Sequence, residues 1–75
     1  MFIKVKSLNR DGTPINVVII NLQHIVSIAA FTDTSRDYRI AFKGYVIDFS
    51  GGENSYIRVD QEDANRIFQI IGISL

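Results

Sequence analysis

Between residues 2 and 8 apolar and polar side chains alternate, with Ile3 and Val5 on one face and Lys4 and Lys6 on the other, which predicts a strand. Asn9-Arg10-Asp11-Gly12-Thr13-Pro14 follows. Asp-Gly is a strong short-range turn signal, and Pro14 fits the start of the next strand, where its missing N–H is harmless. That strand is expected over 15–20 and is apolar on both faces in its second half. Asn21-Leu22-Gln23-His24 interrupts the apolar run and predicts a tight corner before a strand over 24–32. Thr32 to Asp37 reads as a polar hairpin loop. Strands over 37–43 and 45–49 come next, with Gly44 as a bulge or turn between them. Ser50-Gly51-Gly52-Glu53-Asn54 is a loop before a last short strand over 55–59.

The period then changes. Ala64, Ile67, Phe68 and Ile71 fall at i, i+3, i+4 and i+7, one apolar stripe of a helix over 61–71. Asp60 is a good N-cap, Gln61, Glu62 and Asp63 set acceptors and negative charge on the first turn, and Gly72 is placed to end the helix. With short connections throughout, residues 1–75 form a single small domain. The expected fold is mainly β with one C-terminal α-helix. Five or six antiparallel strands form either a bent sheet beneath that helix or a small barrel.

Composition sharpens this. Ile and Val supply nineteen residues against three Leu, and side chains branched at Cβ suit a pleated, half-buried surface. A chain of 75 residues buries only about 60% of the surface its unfolded form exposes, so small domains lean on disulfides, metals or oligomerisation. There is no cysteine and a single histidine, with no zinc-ligand spacing around it, so no metal or cofactor is expected. Oligomerisation remains. The apolar run from Ile15 to Ile20, with Val18 and Ile20 foremost, and the off-stripe Ile70, Ile73 and Leu75 exceed what one small core can cover. These five residues are the expected interface of a homo-oligomer. Eight basic residues balance eight acidic ones, which argues against broad capture of phosphate backbones. No apolar stretch approaches a membrane span and no signal peptide is expected, so the default setting is the cytoplasm, with no membrane partner.

Chemistry is sparse. No nucleophile–base pair, perturbed carboxylate pair or cofactor loop can be named, and a 75-residue barrel leaves little room for a ligand pocket, so no enzyme is expected. Asp60, Glu62 and Asp63 are explained by capping. Ser50-Gly51-Gly52 reads as a plain hairpin loop rather than an anion nest, and Lys4, Lys6 and Arg58 as the wet face of a sheet. Tyr38 and Tyr45 lie in phase with apolar neighbours, whereas Tyr56 shares its face with Arg58 and is expected to be exposed. His24 at the corner and Lys43-Gly44 at a strand junction are either ordinary turn residues or polar contacts for a ligand.

Two segments carry a family likeness. Asn21-Leu22-Gln23-His24-Ile25 and Phe42-Lys43-Gly44-Tyr45-Val46-Ile47 resemble the two motifs of the Sm/LSm-like RNA-binding proteins, over residues 3–49. Ile25 or Val26 stands where the first motif carries Asn, and a strand replaces that family's N-terminal helix. The resemblance implies an Sm-like barrel in a ring of subunits that binds single-stranded RNA. His24 would be the stacking residue and Lys43 with Gly44 the cation-bearing turn beside it. Tyr56 and Arg58 are further candidates for the nucleic acid. A strand meander ending in a short helix is also similar to small flagellar-regulatory proteins of the FlbD type. That likeness fits a protein-interaction or assembly module with no nucleic-acid role.

Overall fold

A computed structural model of the chain describes residues 1–33, 42–51 and 55–72. The alternating run at the N-terminus is strand β1 (Phe2–Leu8), paired antiparallel with β2 (Pro14–Asn21). Gly12 turns between them at φ 91°, and the Asp11 carboxylate accepts the Thr13 N–H at 3.0 Å and its hydroxyl at 2.6 Å. This is the side-chain turn that the Asp-Gly pair foretells. The corner is one turn of 3₁₀ helix over Leu22–His24, capped by Asn21 Oδ1, which accepts from the Gln23 N–H. Buried Leu22 anchors it and donates its own N–H to the Met1 carbonyl.

A second sheet is a meander of β3 (Ile25–Asp33), β4 (Phe42–Phe49) and β5 (Tyr56–Asp60). β4 runs through Gly44 without a break, in register with Phe31 on one side and Asp60 on the other. The expected bulge or turn at Gly44 is therefore corrected, because both neighbouring strands hold its backbone in line. A register shift occurs instead at Val26, between Ile25 and Ser27. The greater part of the expected strand over 37–43 lies outside the described residues.

Helix α1 (Gln61–Ile71) follows β5 directly. Asp60 caps it by accepting the Asp63 N–H at 2.8 Å, and Gly72 closes it in the left-handed region at φ 81°, its N–H donated to the Phe68 carbonyl. Ala64, Ile67 and Phe68 turn inward, while Ile71 at the end of the same stripe stays 41% exposed. They meet Ile3, Val5 and Ile20 of the first sheet and Ile47 and Val59 of the second. Ile47, Val59 and Ile67 are wholly covered and mark the centre of the core. Tyr45 packs edge-on against Phe68, ring centroids 5.3 Å apart.

The fold is thus mainly β with a C-terminal helix, but the two sheets do not close into a barrel. The reason lies on the outer edge of β1. There the Lys6 N–H is donated to Asp63 Oδ2 at 2.9 Å, and the Lys4 carbonyl accepts from Arg66 Nη1 at 3.1 Å. Helix side chains occupy backbone groups that a closing β5 ladder would need. Asp63 Oδ1 also holds Arg66 at 3.0 Å, and Asp63 is only 4% exposed. Lys6 Nζ completes the joint with Asp60 Oδ2 at 3.0 Å.

Replacing Asp63 by Ala strands the Lys6 N–H and takes the carboxylate from Arg66, which keeps its bond to the Lys4 carbonyl, and hydrogen bonds to a charged group are worth about 1.5–3 kcal/mol each. We expect urea unfolding to show a loss of about 2–3 kcal/mol for Asp63→Ala, with far-UV circular dichroism still showing strands and helix.

The Asp60–Lys6 pair sets a pH dependence. Burial works to raise the Asp60 carboxyl, but the Asp63 N–H and the Lys6 ammonium outweigh it and hold the group below the ordinary 3.8. Its hydrogen bond to Asp60, and the charge there, raise Lys6 above the ordinary 10.5. A depressed carboxyl contributes stability above its unfolded pKa and loses it as pH falls through the folded value. A raised ammonium contributes below its unfolded pKa and loses it as pH climbs through the folded one. Urea midpoints should therefore drop below about pH 4 and above about pH 10, and Asp60→Asn should flatten both limbs.

Candidate functional site

His24 ends the 3₁₀ turn with its side chain exposed, and its carbonyl accepts the Ser50 N–H at 2.9 Å. That bond ties the corner to the far end of β4. Lys43 lies near the start of β4, opposite Thr32, and is also exposed. Phe49 stands six positions beyond Lys43, about 20 Å of strand at roughly 3.4 Å per residue. An antiparallel meander must do this, since the start of β3 faces the end of β4. Within one subunit His24 and the Lys43-Gly44 pair are therefore not brought together, and Gly44 is a buried mid-strand residue rather than a turn.

Tyr56 and Arg58 do share a surface, the face of β3–β4–β5 turned away from the core. Register places Ala29, Val46 and Arg58 in one row, Ser27, Asp48 and Tyr56 in the next, and Phe31 beside Gly44. The guanidinium carbon of Arg58 lies 5.4 Å from the ring centroids of both Phe31 and Tyr56. Such a cation–π contact is worth about 0.5–1 kcal/mol at an exposed site. Arg58 Nε is buried and meets no hydrogen-bond acceptor among the described residues. Tyr56 is 42% exposed, as its phase with Arg58 suggested. Phe31 escaped sequence reasoning, although the alternation Ser27, Ala29, Phe31 puts it on this face. In Ser27 and Asp48 the row has its own hydrogen bond, at 2.8 Å. Lys4 and Lys6 lie on the other sheet, and Lys6 is engaged with Asp60, so these cations do not continue as a strip to Arg58.

The expected interface residues divide. Ile20 is 7% exposed and belongs to the core, and Val18 packs half-buried against it, because this face of β2 looks inward. Ile70 is 44% exposed, and Ile73, Leu75 and Tyr38 lie outside the described residues. The apolar surface of β2 is instead its other face. Ile15, Val17 and Ile19 are 59%, 58% and 68% exposed, beside Phe2 of β1.

An open apolar groove of about 530 Å³ runs between β3 and the end of α1, lined by Ile25, Ile28, Ala30, Tyr45, Phe68 and Ile71 among others. That is larger than the sequence suggested, because the sheets stay open where a barrel would have closed. No carboxylate, histidine or amine among the described residues lines it. Among the described residues no three His, Asp or Glu side chains gather as a metal site, and no helix is long and apolar enough to cross a membrane. Comparison with known proteins finds no matching family model, no similar curated protein and no similar solved structure.

A core position of β2 and an exposed position of β3 should respond differently to truncation. Ile20→Ala should cost about 2–4 kcal/mol in denaturant unfolding, as other buried Ile-to-Ala changes do. Val26→Ser, at a 68% exposed bulge residue, should stay within about 0.5 kcal/mol of the parent.

Proposed function

We propose that the chain is a cytoplasmic, non-enzymatic interaction module that works as an oligomer and engages other polypeptide through the outer side of β2. One observation carries this reading. From Pro14 to Asn21 the strand contains no charged residue, and three aliphatic side chains on it, Ile15, Val17 and Ile19, are each more than half exposed. Edge strands of proteins that stay alone are usually blunted by lysines, mid-strand prolines or covering elements. Here Pro14 stands only at the strand's start. An added strand takes its affinity from the free main-chain groups and its specificity from such side chains.

A second reading, binding of single-stranded RNA, draws on the Phe31–Arg58–Tyr56 cluster. Rings and guanidinium planes are the groups on which unpaired bases stack. This surface takes the place of the His24–Lys43 pair that the Sm-like resemblance implied, since that pair stands at opposite ends of the sheet.

Two measurements test the readings together. The tagged 75-residue chain, expressed in its native host, should migrate in an assembly well above 8.5 kDa, and Val17→Lys should disperse it. Recovery as a bare 8.5 kDa chain would overturn the interaction reading. In fluorescence anisotropy with short U-rich and A-rich RNAs at low salt, that reading expects no saturable binding. Saturable binding lost in Arg58→Ala would establish the RNA reading instead.

A further inference from the structure

The open edge of β2 also says which polypeptide fits it. Resting on the interaction reading above, we propose that the occupant is a second copy of this chain. The two β2 strands pair antiparallel about a two-fold axis at Val17, making a four-stranded sheet β1-β2-β2-β1 across the dimer.

Hydrogen-bond direction comes first. Lys4 and Lys6 turn their backbone groups toward α1, so Ile3, Val5 and Ser7 face Ile20, Val18 and Asn16 across the β1–β2 ladder. Alternation in an antiparallel pair then leaves the N–H and C=O groups of Val17 and Ile19 pointing away from β1. Ile15 has no register partner on β1. Among the described residues β2 has no strand on its far side. A two-stranded ribbon is marginal in water, and further strands are what make a sheet stable.

The side chains choose the partner and the register. Ile15, Val17 and Ile19 read the same in both directions, so a two-fold axis at Val17 sets Ile15 against the partner's Ile19, and Val17 against its own copy. Cross-strand pairs of branched aliphatics are what a sheet face favours. Shifting the axis to Ile19 would oppose Val17 to Asn21. Pairing β2 with the free edge of β3 would set it beside Ser27, Ala29 and Phe31, and of these only Phe31, whose ring already holds the Arg58 guanidinium, offers an apolar side chain as large as those of β2. Charge raises no barrier, since β2 carries none and the whole chain is balanced at zero. Lys4 and Lys6 sit one strand out, across from Ile19 and Val17, so the lysines of the two copies are kept three strand spacings apart. That is about 14 Å at roughly 4.8 Å per spacing. The product is one apolar strip of six aliphatic side chains, three from each copy, bordered by lysine on both sides. It is a double-width apolar face that neither copy holds alone.

The test uses the purified full chain, which has no cysteine of its own. Light scattering should give twice 8.5 kDa at micromolar concentration, and Val17→Lys should give 8.5 kDa with an unchanged circular dichroism spectrum. Val17→Cys should form a disulfide-linked dimer under mild oxidation, because paired Cα atoms about 5.5 Å apart suit a disulfide. Gln69→Cys on the exposed side of α1 should not. A purified chain that is monomeric, a ring of more than two subunits, or a dimer in which Val17→Cys fails to cross-link would each overturn the proposal. If the purified chain is monomeric but still enters a Val17-dependent assembly with a different chain in its host, the interaction reading stands and the two-fold pairing falls.

Discussion

The carboxylate of Asp63 is the joint on which the architecture depends. It sits in the first turn of α1, only 4% exposed, and takes the Lys6 N–H of β1 on one oxygen and the Arg66 guanidinium on the other. A buried charge is tolerable only when it is paired and hydrogen-bonded, and here Arg66 supplies the opposite charge with a hydrogen bond while the Lys6 backbone N–H adds a second hydrogen bond. Among the described residues the first sheet has two strands and the second has three, so each alone is near the lower limit of stability in water. By gripping the edge of β1 while Ala64, Ile67 and Phe68 bury against both sheets, the helix makes one core out of two small ones.

That joint has a consequence on the opposite edge. With Asp63 and Arg66 of α1 holding the backbone of β1, the open edge of the β1–β2 pair among the described residues is that of β2, a strand without a charged side chain. The outer face of β2 is then left with Ile15, Val17 and Ile19 exposed in a row. The same openness leaves the apolar groove between β3 and the end of α1. In the second sheet the meander spreads His24 and Lys43 to opposite ends while it gathers Phe31, Tyr56 and Arg58 onto one face. Topology, rather than residue type, decides which candidates become neighbours.

Much of this can be read from local pattern. Alternation at Ile3 and Val5, the Asp11-Gly12 turn, the polar corner before Ile25 and the helical stripe from Ala64 each rest on residues within a few positions of one another, where backbone sterics and side-chain period act directly. The helix bounds and both caps follow for the same reason. Phe31, by contrast, shows only its phase, and its pairing with Arg58 requires β4 to lie between them. Asp63 reads locally as an ordinary first-turn acid, and nothing near it in the chain reveals a partner 57 residues away. Ile20 and Ile19 are chemically identical, and one is core while the other is 68% exposed.

The amino-acid order by itself determined a β-rich chain with a capped terminal helix, because period, turn chemistry and capping are short-range effects. Tertiary structure alone decided that the sheets stay open, that Asp63 is a clamp, and which face of β2 meets solvent. Those outcomes turn on hydrogen bonds between residues far apart in the chain. A strand that is apolar on both faces carries no local signal of which one will find the core.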